Sequence, residues 1–298
     1  MVNLDLTSHM RAAQFSQKVT WVQGGFRRVL RLALLSVFSV ALAACQAVNT
    51  TTGGVVGVER PQYMVVSARD VESASAKSYA KTLQEQAKKG NLNTDAATVA
   101  RIRQITSRII PHTGVFRPDA PRWAWEVNVI SSKEVNAWCM AGGKMAVYTG
   151  LLDAIKPTDD ELAAIIGHEI AHALREHSRE RASEQMITGM GVAIGGALLG
   201  LGQVGNDLLG KAVDVTLSLQ HSRKHESEAD RIGIELAARA GYRPDAAVTL
   251  WEKMGKLSES RPPELLSTHP APETRMAALR ADAEVVDPLY RAAKGNGR

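Results

Sequence analysis

The chain has 298 residues, of which 45% are hydrophobic and 22% are charged, a balance typical of a folded protein rather than a disordered one. Its formal net charge is +5, but residues 1–44 hold five of the basic side chains and a single acid. The remainder carries 31 basic and 30 acidic side chains. Because this balance is nearly neutral, it gives no reason to expect nucleic acid as a partner.

Residues 1–44 have the features of a signal peptide. Three arginines precede an uncharged run over residues 32–44, which is too short to span a bilayer as a helix. The run ends in Leu42-Ala43-Ala44-Cys45, which resembles a bacterial lipobox. That resemblance implies cleavage before Cys45 and lipidation of its thiol, and Gln46 after it implies sorting to the outer membrane, facing the periplasm. The alternative is an ordinary signal peptide in which Cys45 is incidental.

The rest of the chain divides into three further segments. Residues 45–70 are predicted to form a lipidated N-terminus and a tether, because Thr, Gly and Val dominate the first part without a helical period. The folded domain is expected at residues 71–286, followed by a C-terminal tail at residues 287–298.

The predicted elements of the domain begin at residue 74. Helices are predicted at residues 74–89 and 96–110, and strands at Trp123–Val129, Asn136–Met140 and Lys144–Tyr148. Gly142-Gly143 lies between the second and third strands, which indicates a hairpin. Thr158 and Glu161 have the spacing of a capping box and begin a strongly helical region. Later helices are predicted at residues 224–240, 245–256 and 272–285.

Two histidines and a glutamate lie inside the capped helix, in the sequence His168-Glu169-Ile170-Ala171-His172. Residues four apart share one helical face, so both imidazoles can reach a single zinc ion. Glu169 lies beside them and can take the proton of a water molecule at the metal. The pattern therefore predicts that His168 and His172 are metal ligands and that Glu169 is the catalytic base. The alternative is a surface histidine pair without a metal.

A catalytic zinc needs a third protein ligand and an open position. A third histidine in the H-E-x-x-H-x-x-G-x-x-H pattern is excluded, because Arg175 and Ser178 stand at the glycine and histidine positions. Glu226 on a later helix can supply the ligand instead. Asp230 shares its helical face and can accept a proton from the far nitrogen of a ligand histidine. Glu228 points about 200° away from Glu226, so we expect it to be solvated or salt-bridged.

Four sequence blocks together resemble the Ste24/HtpX-like gluzincin family of zinc metallopeptidases, in particular its bacterial lipoprotein and periplasmic members. The blocks are Asn136-Ala-Trp with Gly142-Gly-Lys-Met-Ala-Val-Tyr-Thr-Gly150, Gly167-His-Glu-Ile-Ala-His172, Ser222-Arg-Lys-His-Glu-Ser-Glu-Ala-Asp230, and Ser267-Thr-His-Pro270 with Arg275. The resemblance implies one zinc ion per subunit, held by the three ligands named above. It also implies that Asn136 and Ala137 lie on the strand that pairs with the substrate backbone, and that His269 is a gate or fourth ligand.

The other histidines and arginines receive structural interpretations. His177, His221 and His225 are expected to be solvent-exposed or salt-bridged. Arg223 and Arg275 are expected to pair with acids rather than to stabilise an oxyanion. For His269, a loop histidine bonded to backbone remains an open alternative.

An uncharged, glycine-rich segment runs from Ile187 to Gly205, long enough to span a membrane. A single span there would put Glu226 on the opposite side of the bilayer from His168 and His172, and no common metal site could form. A buried helix, a mobile lid and a shallow membrane-dipping hairpin are the alternatives, and of these we expect a buried or lid element.

These features predict an α+β fold, mostly helical, with a small β-sheet beside the zinc-binding helix. The predicted function is a zinc-dependent endopeptidase, anchored by lipid in the bacterial envelope, that hydrolyses unfolded or misassembled envelope proteins. Its expected partners are polypeptide substrates, the membrane through the lipid on Cys45, and envelope assembly machinery. The alternative is a metal-binding envelope lipoprotein that acts as a chaperone or scaffold with latent protease activity.

Overall fold

The computed structural model describes residues 46–198, 222–258, 273–295, Leu265 and His269. The predicted signal peptide and Cys45 lie outside the described residues, as do His221 and residues 199–205 of the apolar segment. From Ala47 onward the described residues belong to one compact unit. Among them, no helix combines the length and apolar character needed to cross a membrane.

The domain consists of helices with two small sheets, so the predicted α+β, mostly helical fold class is confirmed. The strands are β1 (Gln46–Val48), β2 (Gln62–Met64), β3 (Glu126–Ile130), β4 (Ala137–Met140) and β5 (Lys144–Tyr148). The helices are α1 (Ala68–Lys88), α2 (Ala96–Ile109), α3 (Thr149–Ile155), α4 (Asp159–Leu174), α5 (His177–Leu198), α6 (Arg223–Arg239), α7 (Ala246–Ser258) and α8 (Glu273–Gly295). Two short 3-10 helices, Ile110–Val115 and Ala120–Arg122, lie between α2 and β3.

Strands β3, β5 and β4 form the larger sheet in that spatial order, and β1 pairs with β2. β3 runs parallel to β5, whereas β4 runs antiparallel to it, with Cys139 opposite Met145. The predicted hairpin at Gly142-Gly143 is confirmed: their φ angles are 77° and 79°, in the left-handed region that glycine tolerates. β4 therefore lies at one edge of this sheet, as far as the structure describes the chain.

Helix α4 lies at the centre of the domain and positions the site. Its capping box is confirmed, because Glu161 N–H donates to Thr158 Oγ1 at 3.2 Å and Thr158 N–H donates to Glu161 Oε2 at 2.8 Å. From Glu161 to Leu174 every residue of α4 is buried. A helix that is buried on all sides must be surrounded, and α4 packs against α2, α5, α6, α7 and β4.

The backbones of α4 and α6 touch where Gly167 faces Gly233. A Cβ on Gly167 would lie 2.6 Å from the carbonyl oxygen of Gly233, and one on Gly233 would lie 2.7 Å from the amide nitrogen of His168. No other residue type fits at such distances, so the two glycines permit the close crossing. The crossing brings the histidine face of α4 against the carboxylate face of α6.

Part of the predicted tether is packed onto the domain. Val56 and Val58 are buried, and Glu235 Oε2 on α6 accepts from the amides of Val55 and Val56 at 2.9 and 3.1 Å. The prediction for residues 45–70 rested on composition alone. Composition does not reveal that two valines lie in the core, or that a carboxylate distant in sequence accepts hydrogen bonds from the backbone amides of this segment.

Three element boundaries differ from the predictions by more than two residues. β3 begins at Glu126, because Trp123 and Trp125 stack on each other at 5.4 Å and the Trp125 indole donates to Ala120 O. The helix predicted from residue 74 begins at Ala68, capped by Ser67. α8 continues to Gly295, through the predicted boundary at 286.

The first part of the apolar segment continues α5, which is described as far as Leu198. Ile187 at its start is 43% exposed. The expectation of a buried or lid element for Ile187–Gly205 remains a prediction, since its later residues lie outside the part that the structure describes.

Candidate metal centre

Three buried side chains from α4 and α6 bring their donor atoms together. Nε2 of His168 lies 3.0 Å from Nε2 of His172, one turn further along α4. The carboxylate of Glu226 lies between them and α6, with Oε2 3.5 Å from His168 Nε2 and Oε1 3.4 Å from His172 Nε2. All three residues are less than 10% exposed. The structure thus brings together the two histidines and the glutamate that the sequence singled out.

These donor atoms fit a metal ion better than they fit one another. Ligand atoms of a tetrahedral zinc ion with bonds of about 2.0–2.1 Å lie about 3.3–3.4 Å apart, close to the three observed separations. Glu226 Oε2 is buried and makes no hydrogen bond, although Arg275 Nη1 is 3.0 Å away. The guanidinium compensates part of the carboxylate charge, but Oε2 keeps an acceptor capacity that a metal ion could use. We call His168 Nε2, His172 Nε2 and the Glu226 carboxylate the donor group, meaning atoms that can donate electron pairs to a metal. This group could hold a metal ion.

His269 adds a fourth nitrogen to the same group. Its Nδ1 lies 3.2 Å from His168 Nε2 and 2.9 Å from Glu226 Oε1. Its Nε2 lies 3.6 Å from a carboxylate oxygen of Glu169. The ring therefore stands between the donor group and the predicted base.

Glu169 is buried beside the donor group, on the turn of α4 that carries both histidines. Burial raises the pKa of its carboxyl group, and the nearby His269 and His168 oppose that effect without reversing it. A carboxylate in this environment is a stronger base than one in water.

Asp230 stands behind His168. Its Oδ1 lies 2.9 Å from His168 Nδ1, and Arg275 donates to both carboxylate oxygens at 2.6 Å. Burial raises the pKa of Asp230, but Arg275 and His168 outweigh it and the net shift is downward. An ionised Asp230 accepts the Nδ1 proton of His168 and leaves Nε2 unprotonated toward the metal position. Arg275 pairs with acids, as expected.

A second buried polar network lies on the other side of His172. It comprises Arg60, Arg175, His177, Glu180, His225 and Glu228. His177 and His225 were expected at the surface or in salt bridges; both are buried, and they contact Glu228 and Glu180 at 3.0 and 3.2 Å. Burial lowers the pKa of His177 to about 3, so this imidazole is neutral. Glu228 is salt-bridged, one of the two states expected for it.

Arg60 and Glu180 were missed by the sequence analysis. Arg60 stood in the predicted tether. Glu180 lies three residues after His177 on α5 and so shares its helical face. That spacing was the one available signal, and it does not reveal which residues from elsewhere in the sequence contact this helical face.

The edge strand β4 begins at Ala137, directly after Asn136, and packs against α4. Ala137 is buried, and the Asn136 carbonyl accepts from Tyr148 N at 3.1 Å while its side chain donates to Glu134. At the other end of β4, a cavity of about 250 Å³ lies beside His172, with Trp123 and Gly142 among its lining residues.

A buried helix that carries two histidines and a glutamate, crossed by a second helix that supplies a carboxylate, is the arrangement of a gluzincin metallopeptidase domain. The chain belongs to peptidase family M48, whose defining sequence pattern matches residues 96–283, more than half of its length. The predicted family is confirmed. This membership implies a divalent metal, usually zinc.

Relatives include mitochondrial and bacterial proteins. The chain is 41% identical to the mitochondrial metalloendopeptidase OMA1 of Arabidopsis thaliana over 165 residues, which cover 55% of this chain and 32% of that protein. It is 28% identical to the metalloprotease LoiP of Escherichia coli over 252 residues, 83% of this chain and 95% of LoiP. It is 29% identical to the beta-barrel assembly-enhancing protease of E. coli over 208 residues, 66% of this chain and 41% of that protein. The chain spans about a third to a half of the OMA1 proteins it matches.

Proposed function

We propose that the chain is a zinc-dependent metalloendopeptidase, with one zinc ion per subunit held by His168, His172 and Glu226, and with Glu169 as the catalytic base. The observation that carries the proposal is the donor group itself: three buried donors from two crossing helices at the separations of zinc ligands. The names of the relatives, metalloendopeptidase and metalloprotease, support the same reaction class.

The residues suit peptide-bond hydrolysis. When bound, zinc supplies a Lewis acid that polarises the scissile carbonyl and lowers the pKa of a water molecule. Glu169 takes the proton of that water and later returns it to the leaving amine. Asp230 holds the Nδ1 proton of His168. The outer edge of β4, with Asn136 directly before the strand and Ala137 as its first residue, takes the substrate backbone as an added strand.

The function is tested by casein cleavage with the full chain. Activity is expected to disappear when a chelator removes the metal and to return when zinc is added back, because the donor group alone cannot polarise the carbonyl. The zinc content is measured in the same samples. Cleavage that persists after complete metal removal would contradict the proposal.

We further propose that the protein works in the bacterial envelope, lipid-anchored at Cys45 to the outer membrane, on unfolded or misassembled envelope proteins. The lipobox-like sequence supports the anchor, and two E. coli relatives support a bacterial setting. One of them is named a beta-barrel assembly-enhancing protease, which makes envelope assembly machinery a candidate partner. Relatives named as mitochondrial show that family membership alone does not fix the location.

Replacing Cys45 with serine is expected to remove the lipid, because the acyl chain is attached through the thiol. Wild-type protein should fractionate with membranes and incorporate labelled palmitate, whereas Cys45→Ser should do neither. Cys139→Ser is the matched control and should behave as wild type. A wild-type protein that is unlabelled and freely soluble would rule out the anchor.

The position of His269 favours a second candidate function, a metal-binding lipoprotein whose protease activity is latent. Its Nδ1 lies where a fourth ligand would exclude water. His269 is also connected to the residues that precede the edge strand, since His269 N–H donates to Leu265 O and Leu265 N–H donates to Val135 O. We propose that His269 is a gate, which a peptide arriving at β4 displaces.

Replacing His269 with alanine is expected to raise basal casein cleavage at unchanged zinc content, because the fourth position becomes open to water. If the ring instead donates to the transition state, the same change lowers cleavage with zinc retained. His112→Ala, which alters a histidine outside the donor group, is the control. Unchanged cleavage and zinc content in His269→Ala would remove His269 from the site.

A further inference from the structure

Nε2 of His172 belongs to the proposed zinc ligands, and its second ring nitrogen, Nδ1, faces another histidine. His172 Nδ1 lies 2.8 Å from His177 Nδ1, and His177 Nε2 lies 3.0 Å from Glu228 Oε2. His177 is fully buried, and His172 and Glu228 are less than 10% exposed. The three side chains thus form a continuous hydrogen-bonded chain that ends at the donor group.

The donors and acceptors of this chain allow one arrangement of protons once a metal occupies Nε2 of His172. A neutral imidazole then carries its proton on Nδ1. His172 therefore donates to Nδ1 of His177, so His177 must carry its own proton on Nε2. That proton points at Glu228, whose ionised carboxylate accepts it.

Glu228 is held in place by two arginines. Arg175 Nε donates to Oε2 at 3.0 Å, and Arg60 Nε donates to Oε1 at 2.6 Å. Arg60 precedes β2, so the N-terminal segment supplies one of the two cations that keep the carboxylate ionised. The carboxylate that ends this hydrogen-bonded chain is therefore fixed by Arg175, which follows His172 closely in sequence, and by Arg60, which is remote from it.

We propose that Glu228 and His177 are positioning residues that set the tautomer and ring orientation of His172. The inference rests on the proposed zinc site and extends it to the second ligand histidine. His168 is hydrogen-bonded directly to the carboxylate of Asp230, whereas His172 is connected to the carboxylate of Glu228 through the imidazole of His177. In both cases a proton held on Nδ1 leaves Nε2 as the metal donor and strengthens its basicity.

His177, Glu180 and His225 could instead be read as a second metal group. Arg60 argues against this, because its Nη1 and Nη2 donate to both carboxylate oxygens of Glu180 at 2.6 and 2.9 Å. Gln62 Nε2 donates to the same carboxylate at 2.5 Å. Both oxygens of Glu180 already accept hydrogen bonds from Arg60, so neither is left open for a metal ion.

The test compares two isosteric substitutions in the full chain, Glu228→Gln and Glu180→Gln. Both residues are buried and bonded to Arg60, so both changes should lower thermal stability. Only Glu228 belongs to the proton chain. The zinc affinity, measured by competition with a chromophoric chelator, should fall about 10–100-fold in Glu228→Gln and stay at the wild-type value in Glu180→Gln. Equal losses in the two variants would overturn the proposal.

A second measurement needs no variant to fold. Long-range ¹H–¹⁵N correlation spectra of histidine-labelled wild-type protein distinguish the two imidazole tautomers. In the zinc-loaded protein, His172 should be protonated on Nδ1 and His177 on Nε2. A His177 protonated on Nδ1 would contradict the proposed hydrogen bonds from His172 to His177 and from His177 to Glu228. A wild-type protein that binds no zinc would contradict the proposed function instead, so the two failures are distinguishable.

Discussion

Replacing Glu169 with glutamine is expected to lower casein cleavage by about 10²–10⁴-fold while zinc stays bound. The amide has the size of the carboxylate but cannot accept the proton of the attacking water. The metal does not need the Glu169 side chain as a ligand, because a carboxylate oxygen of Glu169 lies 3.6 Å from His269 Nε2 and does not point into the donor group. Turnover should therefore fall without a change in metal content.

Zinc stoichiometry and turnover are measured on the same preparation of Glu169→Gln. Glu184→Gln, an exposed glutamate on α5, serves as the control and should match wild type. If Glu169→Gln retains more than a small fraction of the activity, another group is the base. If zinc is lost together with activity, Glu169 supports the metal rather than the proton transfer.

Replacing Glu226 with alanine is expected to abolish zinc binding at stoichiometric metal, and activity with it. The change removes the carboxylate donor and leaves the imidazoles of His168, His172 and His269, and neutral imidazoles do not compensate the charge of a divalent cation. The loss of affinity should exceed the roughly 10–100-fold typical of residues that only support a ligand, which is the effect predicted for Glu228→Gln. Metal analysis of the purified variants gives the result.

Ser227→Ala is the matched control for Glu226→Ala, since Ser227 is the exposed neighbour on α6. It should bind zinc as wild type does. Zinc retained by Glu226→Ala but lost by Glu228→Gln would show that Glu228 is the ligand instead of Glu226.

Local signals in the sequence predicted the parts of the site that lie on single helices. Thr158 and Glu161 define the start of α4 by their spacing, and His168 and His172 share a face because they are four residues apart. Glu226 could be chosen because Glu228, two residues on, lies on another face. Each of these inferences depends on helical geometry alone, and the observed positions agree with it.

Contacts between distant segments could not be predicted in this way. Helical geometry predicts which way Glu228 points but not which side chains contact it. Among those side chains are Arg60, near the start of the domain, and His177 on α5. Trp123 and Trp125 alternate as a strand would, yet they stack on each other because the indole of Trp125 bonds to the preceding turn. Tertiary packing decides such cases over local propensity.

The assignment of the metal ligands is tested most directly by locating zinc itself. Anomalous diffraction at the zinc edge from crystals of the zinc-loaded protein should show one peak per chain. That peak should lie about 2.0–2.1 Å from His168 Nε2, His172 Nε2 and an oxygen of Glu226. A principal peak among His177, Glu180 and His225, or one without contact to Glu226, would contradict the account.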